Sequence, residues 1–220
     1  MSPSAKSTKS RTSPHLLQEQ KPFRPVRFIG LPPWLDDSLT NLKVHTFSAI
    51  LFRCFPDWKM QPRRIGNDTF FFILSGTGTA EINGKKFPLR TGTCVNFLRG
   101  VPHSITHNPK APLSFVSIHY SARIFESLTV PEVLGFPPTL DLQNDAKAKK
   151  DFEDACRIFA LRPPAWESGL NALVTGILLH IIWNYGKHLK PQVIGSRAED
   201  LRRLQPALAY LRLHLAESPP

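Results

Sequence analysis

The stretch from Thr69 to Tyr120 constrains this chain more than any other. It opens with the apolar run Thr69-Phe70-Phe71-Phe72-Ile73-Leu74, breaks at Ser75-Gly76-Thr77-Gly78, and resumes as Thr79-Ala80-Glu81-Ile82. An Asn83-Gly84 turn leads back into Lys85-Lys86-Phe87-Pro88-Leu89. Further breaks at Arg90-Thr91-Gly92 and Arg99-Gly100-Val101-Pro102 set off Thr93 to Leu98, His103 to His107, and Leu113 to Tyr120. Runs of about 5–8 residues, rich in β-branched and aromatic types and divided by Gly, Pro and Asn-Gly, predict short antiparallel strands. Their even spacing, without helical periodicity, predicts a sandwich or small barrel.

The rest of the composition sets bounds around that block. With 220 residues and 41% hydrophobic content, the chain can build one full-sized core with a helical part attached. Its net charge of +11 raises the prior for a polyanionic partner. Residues 1–25 hold Lys6, Lys9, Arg11, Lys21 and Arg24 against Glu19, which leaves +4 of the +11 in a tail. The remaining charge is scattered, so it is weak evidence for direct DNA binding. Cys54, Cys94 and Cys156 are far apart and odd in number, as expected of reduced thiols in a cytoplasmic protein. No apolar segment precedes Leu16 to suggest a secretory signal, and the run from Leu170 to Trp183 is too short to span a bilayer.

Read in order, residues 1–21 have almost nothing to bury and are expected to be disordered. Pro22 to Asp37 suggests an extended arm, and Leu42 to Phe55 a strand pair or one long strand. Pro56 to Arg64 reads as a connection. After Pro137-Pro138 the pattern turns helical. Asn144 or Asp145 caps a helix through Leu161, which Pro163-Pro164 ends. A second helix is expected from about Ala165 to Leu189. Leu170, Val174, Ile177 and Ile181 step along it by 4, 3 and 4, while Leu173, Leu178 and Ile182 form another stripe. Two apolar faces call for two partners. The first reading puts one face on the barrel and the Leu170 seam on a second copy; the alternative buries both within one domain. Beyond a polar linker, Leu201, Leu204, Leu208, Leu211 and Leu215 recur at helical spacing.

The central block, "ILSGTGTAEINGKKFPLRTGTCVNFLRGVPHSI" followed by "LSFVSIHY", resembles the sensor domain of AraC-type transcriptional regulators. The last segment, "DLRRLQPALAYLRLHLAESPP", is similar to the approach to that family's DNA-binding domain. The resemblance covers roughly residues 40–220. It implies a mainly β fold with C-terminal helices: a cupin-like jelly-roll barrel followed by an α-helical dimerisation and linker region. The implied parts are a disordered basic tail (1–25), an effector-binding barrel (26–140), a helical dimerisation region (141–196), and the start of a linker to a DNA-binding domain (197–220). The family's paired helix-turn-helix units are not in the chain, so the expected partners are a small-molecule effector and a second copy. DNA would be met only through the absent domain, and no membrane is involved.

Metal-dependent cupins need a His-x-His pair, a downstream Glu and a second His, the nitrogen-oxygen set that iron, manganese or nickel prefers. The stretch from Arg63 to Phe70 has no His or Glu, and only His103 matches a ligand position. The expectation is therefore a sensor and not an enzyme, with no metal and no cofactor. The ligand-binding candidates are Arg64, Arg63, Asn96, His103, Ser117 and His119, with Phe70, Phe72 and Trp58 as walls. The resemblance implies effector contact for the arginine pair and for His103. Each has a plainer role open to it: Arg63 and Arg64 as solvated loop residues, His103 as a turn partner, His119 and the phenylalanines as core. Arginine in such a cavity favours a carboxylate or hydroxyl-rich guest, because its planar fork meets two oxygens at once. The competing readings are a stand-alone cupin that binds or isomerises a sugar, and a plain dimerisation module with a vestigial cavity.

Overall fold

The computed structural model describes residues 39–125 and 128–190, with isolated helical positions at Leu204, Ala207, Tyr210 and His214. The expected tail, arm, linker and most of the last leucine-striped segment lie outside the described residues.

Two antiparallel sheets carry the fold. The larger is ordered β1 (Lys43–Arg53), β8 (Ser114–Phe125), β3 (Asp68–Ser75), β6 (Thr93–Phe97) and β10 (Thr139–Asp141), with β9 (Leu128–Thr129) paired to β8. The smaller is ordered β2 (Met60–Arg63), β7 (His103–His107), β4 (Gly78–Ile82) and β5 (Lys85–Leu89). A short helix, α1 (Val130–Val133), precedes β10, and α2 (Ala146–Leu161) and α3 (Trp166–Tyr185) close the described chain. The result is a mainly β, cupin-like two-sheet sandwich followed by two helices.

Sequence chemistry accounts for the main joints. Asn83 and Gly84 both have positive φ, as a two-residue hairpin turn demands, and join β4 to β5. Gly92 has φ +82, and a Cβ there would lie 2.2 Å from the Cα of Gln143, so the chain entering α2 crosses it at a distance only glycine allows. The Asp145 carboxylate accepts from the Ala148 N–H at 2.8 Å, capping α2, and also from the Tyr185 hydroxyl at 2.9 Å. It faces His180 Nε2 at 2.6 Å as well, so one cap ties the end of α3 to the start of α2.

Leu42 to Phe55 yields one long strand, the second of the two forms expected of it. Three expectations change here. Met60–Arg63 is strand β2 rather than connection; four residues interrupted by Pro62 carry too little alternation to show it. The last long helix begins at Trp166 and ends at Tyr185, and Gly186–His188 is a 3-10 turn. Most consequential, the Leu170, Val174, Ile177 and Ile181 seam is not a surface for a second copy. All four side chains are buried, in the same cluster as Phe70, Phe72 and Phe152. Sheet, α2 and α3 consume both apolar faces within one chain, which is the alternative the stripes left open.

Candidate functional site

The larger sheet has two faces. Directly opposed residues on neighbouring strands point to the same side. Thr69 opposes His119, Phe71 opposes Ser117 and Ile73 opposes Phe115, and these face the smaller sheet. Phe70 opposes Ile118 and Phe72 opposes Val116, and these face the helices.

Between the sheets lies a cavity of about 470 Å³. Its aromatic walls are Trp58, Phe52, Phe71 and Phe115, with Met60 and Ile65 completing the apolar lining. The Trp58 ring centroid is 5.9 Å from that of Phe115 and 6.0 Å from that of His107. Phe71 stacks on Phe115 at 4.5 Å. Arg63, Ser117 and His119 are the polar groups of the lining expected from sequence, and Trp58 is where the wall was expected.

These polar groups are unevenly satisfied. Ser117 is 1% exposed and its Oγ has no hydrogen-bond partner among the described residues. His119 Nδ1 lies 3.1 Å from both the Thr69 hydroxyl and Asn67 Oδ1. His103 sits opposite Arg63 in the β2–β7 ladder and stacks on Phe97 at 4.3 Å. Its Nδ1 donates to the Val101 carbonyl at 2.9 Å, which leaves Nε2 as a buried acceptor without a partner. Burial lowers the pKa of His103 and, assisted by the Arg63 charge, outweighs the Val101 hydrogen bond that would raise it. Burial first, then Arg63 and His103, likewise lower that of His119. Both rings are therefore neutral near pH 7, beside a fixed cation.

Five of the sequence candidates lie outside this lining, His103 in the β2–β7 ladder among them. Phe70 and Phe72 face the helices and pack on Phe152 at 6.0 and 4.9 Å. Asn96 opposes Phe70 and shares that face. Arg64 turns away, and its guanidinium donates to the Gly100 carbonyl, as its plainer loop role suggested. Sequence reasoning missed Phe71 and Phe115. A run of three phenylalanines is apolar on both faces, so alternation carries no sign of which one points inward.

Residues 60–119 match the family model described as Cupin domain. The chain carries a cupin domain. Several solved structures share the likeness at low similarity. A conserved Streptococcus pyogenes protein of unknown function is 15% identical, with 36% of this chain and 73% of that one covered, at a TM-score of 0.30. The Schizosaccharomyces pombe Cnp3 cupin domain is 18% identical over 36% and 64%, at 0.31. A predicted oxalate decarboxylase from Thermotoga maritima is 23% identical over 38% and 71%, at 0.31. No curated protein sequence matches the chain.

Within this cupin domain, no three His, Cys, Asp or Glu side chains among the described residues converge where they could hold a metal ion. No helix among the described residues is long and apolar enough to cross a membrane. A larger cleft, about 610 Å³, opens outside the barrel between Leu98, Phe136 and Lys190. None of the buried partnerless polar atoms belongs to its lining, so it lacks the unmet hydrogen-bonding demand of the barrel cavity.

Proposed function

We propose that the barrel cavity binds a small effector with an apolar body and a carboxylate or several hydroxyls, and that the chain is the effector-sensing portion of an AraC-type transcriptional regulator. One observation carries the binding reading: the Ser117 hydroxyl is buried without a partner on the wall of an aromatic-lined cavity. An unmet buried hydroxyl costs stability, about 1–3 kcal/mol, and a guest that reaches it recovers that cost. Arg63 supplies the fork for an oxygen pair, and the neutral His119 ring offers an acceptor for a hydroxyl donor. Trp58, Phe71 and Phe115 cover the apolar part.

The regulatory reading draws support from β8. Ser117 and His119 face the cavity, while Val116, Ile118 and Tyr120 on the same strand pack in the cluster that contains α2 and α3. A guest that binds one arrangement of this strand better than another biases where the helices sit. DNA contact in this reading belongs to a helix-turn-helix domain, and no part in it is assigned to residues 39–190.

The test is calorimetry and thermal shift with a panel of sugars, sugar acids and aromatic carboxylates. A binder is expected to raise the melting midpoint, and its affinity is expected to fall at least about tenfold in Arg63→Ala, which removes a charge-assisted pair. A panel that leaves the midpoint unmoved, or a binder indifferent to Arg63, rejects the assignment.

A further inference from the structure

Strand β1 forms one edge of the larger sheet, with β8 as its only neighbour among the described residues. Its first half is covered. Thr46 is 8% exposed, and its N–H donates to Asn171 Oδ1 of α3 at 2.8 Å. The register shifts at Phe47; beyond it Ala49 still packs in the cluster with the helices, while Phe47 and the run from Ile50 to Arg53 are exposed. Phe47 is 48% exposed, Ile50 40%, Leu51 44%, Phe52 41%, and Phe55 just beyond the strand 74%. No charge interrupts Val44 to Phe52, and no proline blocks pairing. Soluble proteins blunt sheet edges with lysine, proline or short length, and this edge has none of these over its exposed half.

We propose that this half of β1 pairs antiparallel with β1 of a second copy, joining two larger sheets into one. Leu51 opposes Val116 on the helix side, whereas Ile50 and Phe52 oppose Ser117 and Phe115 on the cavity side. The edge is therefore apolar on both faces, and its occupant must be a strand that is apolar on both faces too. A second β1 meets that requirement and makes a self-complementary two-fold contact. The area suffices. At about 200 Å² for a large side chain, the five exposed residues present roughly 500 Å² per copy, or about 1,000 Å² for the pair, where stable interfaces begin. Charge agrees as well: copies of net charge +11 repel over most of their surface, and Val44 to Phe52 is a segment without charge. The seam once suited to dimerisation on α3 is spent inside the protomer, so a homodimer needs another apolar surface, and β1 is one.

The experiment is sedimentation of the full 220-residue chain from about 1 to 200 μM, a range that brackets moderate self-association. The expected mass is twice 24.8 kDa. The double variant Ile50→Lys, Leu51→Lys is expected to weaken association at least about 100-fold, because it sets cations against each other at the centre of the contact. Leu161→Lys, at a 72% exposed site on α2, leaves the mass unchanged. Hydrogen exchange on the native chain removes any dependence on how the variants fold: amides between Ser48 and Arg53 gain protection as concentration rises. A monomer throughout the range, a dimer indifferent to the double variant, or exchange independent of concentration overturns the proposal. An association that survives the double variant and is lost on charging another face assigns the dimer to that face instead.

Discussion

The two faces of the larger sheet, built from alternate residues of the same strands, have opposite characters. Toward the helices, Phe70, Phe72, Val116, Ile118 and Tyr120 meet Phe152, Ile177 and Ile181, and the Phe72 and Phe152 rings stack 4.9 Å apart. Toward the smaller sheet, Phe71, Phe115, Ser117 and His119 surround about 470 Å³ of space. One face maximises contact and the other leaves room, with a partnerless hydroxyl and one neutral imidazole, His119, at its border. The difference shows how a single strand can hold a fold together on one side and remain free to meet a guest on the other. It also shows why stability and binding should respond to different residues that are adjacent in sequence.

The largest effect expected is on the helix face. Phe152 is fully buried, so Phe152→Ala should cost about 3–5 kcal/mol in chemical denaturation, the loss typical of a large aromatic removed from a packed core. Substitution of Trp58 should cost far less. Equal losses at the two positions would break the contrast between the faces.

A second effect separates the faces by pH. Asp68 is 1% exposed at the end of β3, opposite Tyr120, and its carboxylate accepts from the Arg99 N–H at 3.0 Å. Burial pushes its pKa from 3.8 up to about 6; Glu132 adds to the rise, and the Arg99 hydrogen bond with the Arg99 and Arg123 charges oppose it. Between about pH 4 and 6 the folded chain thus keeps a proton that the unfolded chain has released. Stability falls as pH rises through this window, by up to about 3 kcal/mol. His103 and His119 act in the opposite sense. Their folded pKa values lie below 6.5, so the unfolded chain takes up protons first as pH drops, and stability is lost toward acid. Denaturation midpoints of Asp68→Asn should therefore climb steadily from pH 5 to 7, while the native chain shows a flatter profile. Parallel profiles would show that Asp68 does not titrate in this range.

How much of this was legible in the sequence follows from the same contrast. The hairpin at Asn83-Gly84, the succession of short strands and a helix cap at Asn144 or Asp145 were all readable, because each rests on a local backbone requirement that few residue types satisfy; the structure assigns the cap to Asp145. The side of the sheet faced by each phenylalanine was not, because Phe70-Phe71-Phe72 satisfies either register equally. Asn96 was misplaced with them: its side depends on being opposite Phe70, which is a fact of pairing and not of sequence. The α3 seam failed for a related reason. Periodicity reveals that Leu170, Val174, Ile177 and Ile181 share a face, but a sheet and a second helix of the same chain cover that face as well as a second copy could. Trp58, Arg63, Ser117 and His119 do lie on the cavity lining: Trp58 just before β2, Arg63 at its end, and Ser117 and His119 two apart on one face of β8.

The smallest stability effects belong to the cavity, and they sharpen the contrast most. Ser117→Ala removes a buried hydroxyl that has no partner, so its stability should stay within about 1 kcal/mol of the native chain or rise slightly, since the desolvation cost disappears with the group. The same substitution should weaken any hydroxyl- or carboxylate-bearing guest that reaches β8, a change calorimetry would detect against an unchanged melting curve for the empty protein. Trp58→Ala should do likewise for guests with an apolar ring, since the indole is only half-buried and lies over open space on one side. Were Ser117→Ala instead to destabilise the empty protein by more than about 2 kcal/mol, the hydroxyl would have to be engaged already, by a buried water or a neighbouring group, and the cavity wall would be part of the structural core after all. That outcome would make the two faces of the sheet alike, and would move the search for a guest away from β8.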